Sequence, residues 1–497
     1  MDSIAILLSF IAFLFLVLFF KKLNQNVHKN FPPGPMPLPL IGNILRIDMS
    51  KPHRTFVELS KEYGTVFSVQ IGMSKIVILC GLETIKDALV NHVDDFLGRP
   101  TSGLFSRVLK NHGVIMANGE NWKVMRRFTL STLRDYGMGK KIIEDKITEE
   151  AESLVQKFRS YEGKAFENLN SVNSAVANII VSILLNSRFD YEDPTILKLV
   201  SLTNENIRLL GSPLVRLLNS VPVLVKWLPG AHRKILANIR EFHTFLETIF
   251  TKQRKELDVN DQRNLIDAFL VKQQEGTPES AQYFHNENLI ALVDNLFVAG
   301  METTSTTLRW ALLLMMKYPE IQEKVQSEIE KVIGSSQPQM EHRRQMPYTD
   351  AVIHEVQRFG DIAPGSVAHV ASHDVTFRGF FLPKGTVVMP MLHSVLKGKE
   401  YFENPEEFYP GHFLDSDGNF KKSEAFIPFS IGNGGLGARI NIDPSLTSSS
   451  LLTKSIVWPN LLWTNSEHFM WPSGLLRQKY LGETIRAYMQ CPDRKHQ

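Results

Sequence analysis

The stretch from Asn286 to Lys317 constrains the fold most, because it reads as one helix long enough to cross a whole domain. Apolar residues recur at helical spacing toward both of its ends. Asn286 is predicted as its N-cap, and Pro319 as its stop. A chain of 497 residues, 43% of them hydrophobic, can bury a large core. We therefore expect the other elements to pack around this helix.

The middle of the helix breaks the pattern that its ends follow. Its sequence is Ala299-Gly300-Met301-Glu302-Thr303-Thr304. A glycine that costs about 1 kcal/mol in a helix interior stands there beside weak helix formers and an acid. A small residue lets a bulky ligand approach the backbone, and the Glu302 carboxyl beside the Thr303 hydroxyl could relay protons. An ordinary helix crossing with Glu302 in solvent explains the same stretch.

The N-terminus predicts a membrane anchor. Residues 3–20 are uncharged and apolar, just long enough to cross a bilayer, and Lys21 and Lys22 follow without a small-residue cleavage site. Positive charge on the C-terminal side places the bulk of the chain in the cytosol. We predict a transmembrane signal anchor at 1–22 and a stiff proline-rich linker at 23–43. A buried terminal core helix is the alternative.

Charge and cysteine content narrow the function only slightly. The net charge of +3 gives no reason to expect a nucleic-acid partner, and none is predicted. Cys80 and Cys491 are the two cysteines of the sequence. Two such cysteines make no disulfide framework, which fits a reducing compartment.

Coarse periodicity assigns the remaining elements. The predictions are a hairpin at 65–71 and 75–80, a helix at 82–92, a helix at 119–133, a mostly helical stretch at 142–300, helices at 320–333 and 349–359, a second hairpin at 375–381 and 386–389, and a coil at 404–418. Residues 212–229 interrupt the helical part with an irregular apolar loop that could dip into a membrane and admit apolar substrates.

Two residue pairs at helical spacing are candidates for buried contacts. Trp122 and Arg126 lie one turn apart and could clamp a carboxylate, although such pairs commonly just stack. Glu355 and Arg358 suit an ion pair, which by itself would be a surface pair in most proteins. Lysines and arginines near Trp122 predict a basic surface that either attracts an acidic partner or is simply solvated.

Five motifs in a fixed order point to one family. They are Pro32-Pro33-Gly34-Pro35, Trp122 with Arg126, residues 299–304, Glu355-Val356-Gln357-Arg358, and Phe426-Ile427-Pro428-Phe429-Ser430-Ile431-Gly432. Together they resemble the microsomal cytochrome P450 haem-thiolate monooxygenases, most closely the vertebrate branch known as family two. The resemblance covers residues 1 to about 432. It implies a mainly α fold with small β-sheets, haem as cofactor, and a catalytic domain over 44–432.

The resemblance assigns roles around the haem. Glu302 and Thr303 would be the acid and the alcohol that deliver protons to dioxygen. The other expected haem contacts are Trp122, Arg126 and His369 at the propionates, with Ala299, Phe429 and Gly432.

It also assigns roles farther from the haem. Glu355 and Arg358 would be a structural ion pair that locks onto the 404–418 coil, where His412 stands for the usual arginine. Lys123 and Arg127 would dock an NADPH-dependent reductase. An apolar substrate pocket is expected near Phe105, Phe297 and Val298, although Phe297 and Val298 could equally be ordinary core residues.

The motif that defines the family fails after Gly432. Leu436 occupies the position of the cysteine thiolate, and Gly434 that of a propionate-binding arginine. Leucine cannot bind iron, and loss of the thiolate removes the electron donor that drives O–O cleavage. Pro444 forbids the helix that should follow. We interpret 433–497 as an unrelated tail from a shifted reading frame or alternative splicing, with no metal ligand, and rescue by Cys491 is disfavoured because reactive thiols need a built environment.

Two functions from different classes remain. The first is a membrane-bound monooxygenase of the endoplasmic reticulum that oxidises xenobiotics, fatty acids or steroids, impaired in this chain. The second is a non-catalytic membrane-tethered pseudoenzyme or a misfolded isoform. Position 436 is the sequence feature that separates them.

Overall fold

A computed structural model describes residues 10, 11, 13, 14, 30–39, 41–101, 108–136, 141–215 and 230–432. Most of the expected anchor, most of the apolar loop at 212–229 and the whole of 433–497 lie outside this part of the chain, as do Phe105, Leu436 and Cys491. Among the residues just given, none of the helices combines the length and the apolar character that crossing a membrane requires.

The described body is mainly helical, as predicted. Proline stands in the first turn of α1, α6, α9, α11 and α12, where its missing N–H costs no helical hydrogen bond. In chain order the α-helices are α1 (Pro52–Tyr63), α2 (Leu82–Lys86), α3 (Gly119–Asp135), α4 (Lys141–Arg159), α5 (Leu169–Leu185), α6 (Pro194–Leu210), α7 (Ala231–Glu256), α8 (Leu265–Gln274), α9 (Pro278–Tyr283), α10 (Asn286–Lys317), α11 (Pro319–Val332), α12 (Pro347–Gly360) and α13 (His393–Leu396).

Short turns of other helix types join these elements. A π-helical turn, Asp87–Asn91, continues α2. The 3-10 helices are Ile44–Arg46, Met340–Gln345 and Pro410–Phe413. The last of these lies within the predicted coil at 404–418.

Helix α10 is the central element, and its predicted bounds are confirmed. The predicted cap is wrong by one residue, because His285 is the N-cap and accepts a hydrogen bond from the Asn288 N–H. Its apolar face belongs to the largest buried cluster, together with α5, nearly all of which is buried. The core therefore surrounds the helix that the sequence singles out.

The larger sheet has four strands in the order β1 (Val66–Ile71), β2 (Ser74–Leu79), β6 (Val387–Pro390) and β3 (His369–Val370). The β1 to β2 hairpin is confirmed, with Val69 opposite Ile76. Strand β6 pairs parallel to β2 and antiparallel to β3. Chain segments more than 280 positions apart in the numbering thus share one sheet, and β3 carries His369 to its edge.

The predicted second hairpin is wrong in its pairing. The turn lies at Arg378 and Gly379, and it joins β4 (Val375–Phe377) to β5 (Phe380–Leu382). Both turn residues have positive φ, 49° and 82°, which is the backbone that a tight antiparallel turn needs. The Arg378 guanidinium donates to the Asp87 carboxylate at 2.9 Å and holds that conformation in place.

The proline-rich segment lies along β1. The Ser68 N–H donates to the Pro33 carbonyl at 2.7 Å, and the Ser68 hydroxyl donates to the Pro32 carbonyl at 2.9 Å. A Cβ atom on Gly34 would stand 1.9 Å from the Ser68 carbonyl oxygen, so only glycine permits this approach. The segment is extended, as expected, and it is bound to the body over residues 30–39.

Candidate functional site

The centre of α10 differs in exposure between its two sides. Ala299, Glu302, Thr303 and Thr306 keep part of their accessible surface, whereas Met301 and Thr304 on the other side are fully buried. The spacing of the first group, at i, i+3, i+4 and i+7, places it on one face of the helix. The structure therefore brings together the small residue, the acid and the alcohol that the sequence proposes.

Hydrogen bonds fix the three polar side chains on that face. The Thr303 hydroxyl donates to the Ala299 carbonyl at 2.8 Å, and the Thr306 hydroxyl donates to Glu302 Oε1 at 3.2 Å. Glu302 Oε2 is buried and has no hydrogen-bond partner in the described part of the chain. Burial raises the pKa of Glu302, against smaller lowering effects from the Thr306 hydrogen bond and the charge of Arg309.

A second group of polar side chains gathers where three segments meet. The His369 ring donates from Nδ1 to the Phe96 carbonyl at 2.7 Å. The Arg99 N–H donates to Asn118, the residue before α3, at 2.6 Å. The Arg99 side chain donates to the Ala368 carbonyl at 2.7 Å, beside His369. Residues 96–99 thus connect the edge of β3 to the start of α3.

Helix α3 contributes the remaining donors from its inner face. Trp122 is 7% exposed, and the Arg126 guanidinium lies 5.6 Å from the centre of its ring. Burial lowers the pKa of Arg126. Arg99, Trp122, Arg126 and His369 all carry N–H groups, the donors that carboxylates accept, and Arg99 is buried without standing in any regular element. Sequence periodicity has no signal for such a coil residue, so Arg99 was not foreseen.

The outer face of α3 carries the expected basic residues. The side chains of Lys123 and Arg127 are 61% and 74% exposed. Lys123 pairs with Glu120 at 2.6 Å, and Arg127 with Glu279 at 3.0 Å. Exposed pairs of this kind are weak and exchange readily for other partners.

Glu355 and Arg358 form a buried bidentate ion pair. Arg358 Nε and Nη2 each lie 2.7 Å from a Glu355 oxygen, and both side chains are 0% exposed. Arg358 also donates to the carbonyls of Leu396, Pro405 and Glu407. Glu355 accepts from the Tyr409 N–H and contacts His412. The pair therefore joins α12 to the 404–418 coil.

Two buried asparagines on α10 hold a loop against the helix. Asn288 Oδ1 accepts from the Gly113 N–H at 3.0 Å. Asn295 Oδ1 accepts from the Val114 and Ile115 N–H groups at 3.1 and 3.0 Å. A polar amide at i and i+7 within an apolar helix face is a sequence signal that could have found them.

Gly432, the last described residue, packs against the π-helical turn Asp87–Asn91. Gly432 has a φ of +70°, and a Cβ atom there would stand 2.0 Å from the Leu89 carbonyl oxygen. Phe429, three residues earlier, is half-buried. Leu436 and Gly434 follow outside the described residues. Glycine at 432 is therefore required by packing as well as by its backbone conformation.

The described residues fit only one half of a haem site. The donors Arg99, Trp122, Arg126 and His369 suit two carboxylates, as haem propionates would require. The iron ligand is not supplied: Cys80 is the cysteine within the described residues, it is buried under β1 and β2, and burial raises its pKa to about 11. That part of the chain also holds no cluster of three or more His, Cys, Asp or Glu side chains suited to a metal ion.

Comparison with known proteins gives one consistent family. The family model described as cytochrome P450 matches residues 32–434. Cytochrome P450 2B4 of Oryctolagus cuniculus is 44% identical over 431 residues, covering 86% of this chain and 87% of the relative. Cytochrome P450 2C8 of Homo sapiens is 44% identical, with 84% and 86% covered. Cytochrome P450 2K4 of Oncorhynchus mykiss is 46% identical, with 81% and 80% covered.

Proposed function

Because the chain belongs to the cytochrome P450 family of haem monooxygenases, we propose that its body is built to oxidise apolar substrates such as xenobiotics, fatty acids or steroids. Its electrons would come from an NADPH-dependent reductase. We further propose that this polypeptide performs the reaction poorly or not at all. The observation that carries the second proposal is Leu436, which stands where the family places its cysteine ligand.

The residues that would hold haem are the N–H donors near β3 and α3. Arg99, Trp122, Arg126 and His369 would bind the propionates, and Ala299, Phe429 and Gly432 would contact the ring. Haem, when bound through a cysteine thiolate, supplies iron that activates dioxygen, and the thiolate favours O–O cleavage. A leucine supplies no electron pair to iron, so the ligation that gives the family its chemistry is expected to be absent.

Glu302 and Thr303 would handle protons on the exposed face of α10. A carboxyl with a raised pKa keeps its proton closer to neutral pH than an exposed glutamate does, which suits an acid that must donate. The Thr303 hydroxyl lies one helical turn from the Ala299 carbonyl that accepts its proton. Rotation of that hydroxyl away from the carbonyl would let it pass a proton from water to dioxygen.

The test is the absorption spectrum of the reduced, full-length protein under carbon monoxide. We expect no red-shifted band of a thiolate-ligated haem, and a clear band would overturn the proposal. Leu436→Cys alone should restore the band incompletely, because Gly434 and Pro444 still differ from the family pattern. Replacing residues 433–497 with a family-type segment should restore the band and turnover together, and Thr303→Ala should then uncouple oxygen consumption from product.

A non-catalytic role is the second candidate, and one observation favours it. The match to the family model stops at residue 434, two positions before the missing ligand. A pseudoenzyme would keep the folded body without haem-dependent turnover. A cooperative thermal unfolding transition in the absence of a carbon monoxide band would support it, whereas a chain without any such transition would indicate a misfolded isoform.

The proposed surroundings are the membrane of the endoplasmic reticulum and a reductase. Residues 1–22 would be the anchor, 23–43 the linker, 44–432 the catalytic domain and 433–497 an unrelated tail. Deleting 1–22 should release much of the protein from membranes with little change in its fold. If the deleted form stays bound in high salt, the apolar loop at 212–229 holds it instead.

The exposed basic side chains of α3 would meet the reductase. Lys123→Glu with Arg127→Glu should weaken reductase binding, and the loss should shrink as salt is raised, because screening weakens exposed charge pairs. An unchanged affinity at low salt would remove this surface from the proposal.

A further inference from the structure

Two histidine rings meet where the loop at 108–118 crosses the start of α10, and no part of the proposed reaction uses them. The ring centres of His112 and His285 lie 4.9 Å apart, with 73° between the ring planes. Both residues are half-buried, and the His285 side chain keeps 32% of its accessible surface. Imidazole nitrogens suit zinc, nickel and copper ions. Two imidazoles this close together, with access to solvent, are therefore a candidate metal-ligand pair.

The backbone on both sides of His112 is held in place. Lys110 and Asn111 have φ values of 46° and 67°, in the left-handed region that residues with a Cβ atom rarely adopt. Such a conformation persists where the surrounding structure holds it. On the other side, the Gly113 N–H donates to Asn288 Oδ1 on α10 at 3.0 Å. The loop therefore presents His112 to the start of α10 in a fixed position.

Each ring has a nitrogen available for a metal ion. His285 Nδ1 lies 2.9 Å from Glu287 Oε2 and 3.4 Å from the Asn288 nitrogen. In the tautomer with a proton on Nδ1, the ring donates to Glu287 and Nε2 keeps its lone pair, the arrangement that metal-bound histidines commonly adopt. None of the hydrogen bonds within the described part of the chain involves the His112 ring. Burial and the charge of His285 lower the pKa of His112, so that ring is neutral at pH 7.

The separation of the two rings fits one shared metal ion. Rotation about χ2 turns an imidazole about an axis close to its own centre, so the 4.9 Å separation is kept in either ring orientation. A zinc ion stands about 2.0 to 2.1 Å from each ligating nitrogen, and thus about 3.2 Å from each ring centre. At a tetrahedral angle the two ring centres would then lie about 5 Å apart. The rings therefore need only to turn, without a large movement of the loop or the helix.

We propose that His112 and His285 together bind a zinc-type transition metal ion, which ties the loop at 108–118 to the start of α10. Among the described residues no group of three or more His, Cys, Asp or Glu side chains is suited to a metal ion, so water would fill the other coordination positions. Glu287 would hold the His285 ring in the ligating tautomer. The site involves no haem, and it goes beyond the proposed function without depending on it.

Calorimetric titration of the full-length, metal-free protein with zinc chloride tests the site. Zinc should bind saturably at neutral pH, and about a hundredfold excess of magnesium should not compete, because magnesium prefers oxygen ligands. The affinity should fall as the pH is lowered to about 5.5, because protons compete with the metal for imidazole lone pairs. Absence of saturable zinc binding, or displacement of zinc by magnesium, would overturn the proposal.

Two substitutions each remove one ligand and keep the local structure. His112→Phe retains an aromatic ring beside His285, and His285→Asn retains a good N-cap for α10. Each should weaken zinc binding about tenfold or more, since loss of a group that only orients a ligand already costs about that much. The matched control is His53→Phe. Its ring lies 4.6 Å from that of His393, whose side chain is 14% exposed and bound to Asp361, so zinc affinity should stay within about twofold. An equal loss in the control, or no loss in the first two variants, would refute the assignment.

Hydrogen exchange and thermal unfolding on the same samples report whether the ion ties the loop to the helix. Zinc should slow exchange of the Gly113 and Val114 amides, which already donate to α10, in wild type and not in His112→Phe. It should also raise the melting temperature of wild type more than that of His285→Asn, because a ligand stabilises the state that binds it. Equal effects of zinc on wild type and both variants would place the ion elsewhere and overturn the proposal.

Discussion

Two buried polar regions of this protein differ in how completely their groups are satisfied. Around Glu355 and Arg358, every hydrogen of the Arg358 fork meets an oxygen, and the carboxylate binds arginine, a backbone N–H and His412. On α10, Glu302 keeps one oxygen without a partner among the described residues, and Asp294 has a single amide. Satisfied buried networks rigidify a fold, whereas incomplete ones are expected where a ligand or a proton must be received.

Glu355→Ala should destabilise the protein more than any other substitution considered below. Removing the carboxylate leaves Arg358 charged, buried and uncompensated, and the free energy of unfolding should fall by about 3 to 5 kcal/mol. Chemical denaturation measures the loss. The matched control is Glu58→Ala, which removes the exposed pair with Lys61 at the same i, i+3 spacing and should cost under about 1 kcal/mol. Equal losses for the two variants would mean that burial does not distinguish the pairs.

Asn295→Leu tests the hydrogen bonds that hold the loop at Val114 and Ile115 against α10, and its expected cost lies between those of Glu355→Ala and Glu58→Ala. The substitution leaves the Val114 and Ile115 N–H groups without their acceptor, and it should cost about 1 to 3 kcal/mol. Faster hydrogen exchange at those two amides, with unchanged exchange in α12, would place the damage in the loop. Asn295→Asp, which keeps an acceptor oxygen, should retain their protection.

The sequence predicted individual helices and strands better than the contacts between segments far apart in the chain. Helix α10 and the β1 to β2 hairpin follow from local periodicity, which acts within a few residues. The turn at Arg378 was missed because a positive φ on an arginine depends on Asp87, far away in the chain. Arg99 was missed for the same reason, since its carbonyl partners at Val367 and Ala368 lie on a different segment.

Candidate site residues can be proposed from the sequence where a motif has fixed spacing. Glu302 and Thr303 lie on one turn of a helix, so their proximity follows from helix geometry alone. Asp294 belongs to no motif, and only its burial distinguishes it from a surface acid. Burial is a property of the packed molecule, which explains why periodicity could not single it out.

The Asp294 carboxyl should make the stability of the protein depend on pH. Its folded-state pKa lies above its ordinary value of 3.8, so the folded protein binds the proton more tightly than the unfolded chain does. Stability from this group is therefore fully present below pH 3.8 and is lost as pH rises toward about 7. Wild type should lose stability relative to Asp294→Asn across that window, measured as the difference in free energy of unfolding. If the difference in free energy of unfolding between wild type and Asp294→Asn stays constant from pH 4 to 7, the pKa of Asp294 is not raised in the folded protein.

The Thr306 hydroxyl donates the hydrogen bond that partly satisfies Glu302, and removing it should change stability least. The Thr306 hydrogen bond lowers the pKa of Glu302, against the larger raising effect of burial, so Thr306→Val should raise that pKa further. The stability change should be small, about 0.5 to 1.5 kcal/mol, because one bond to one oxygen is lost. Infrared titration of the protonated carboxyl band, assigned by its loss in Glu302→Gln, measures the shift directly. Thr306→Ser keeps the hydroxyl and should titrate as wild type does. If valine and serine shift the band equally, the Thr306 hydroxyl does not act on Glu302, and burial and the charge of Arg309 remain as the causes of its pKa.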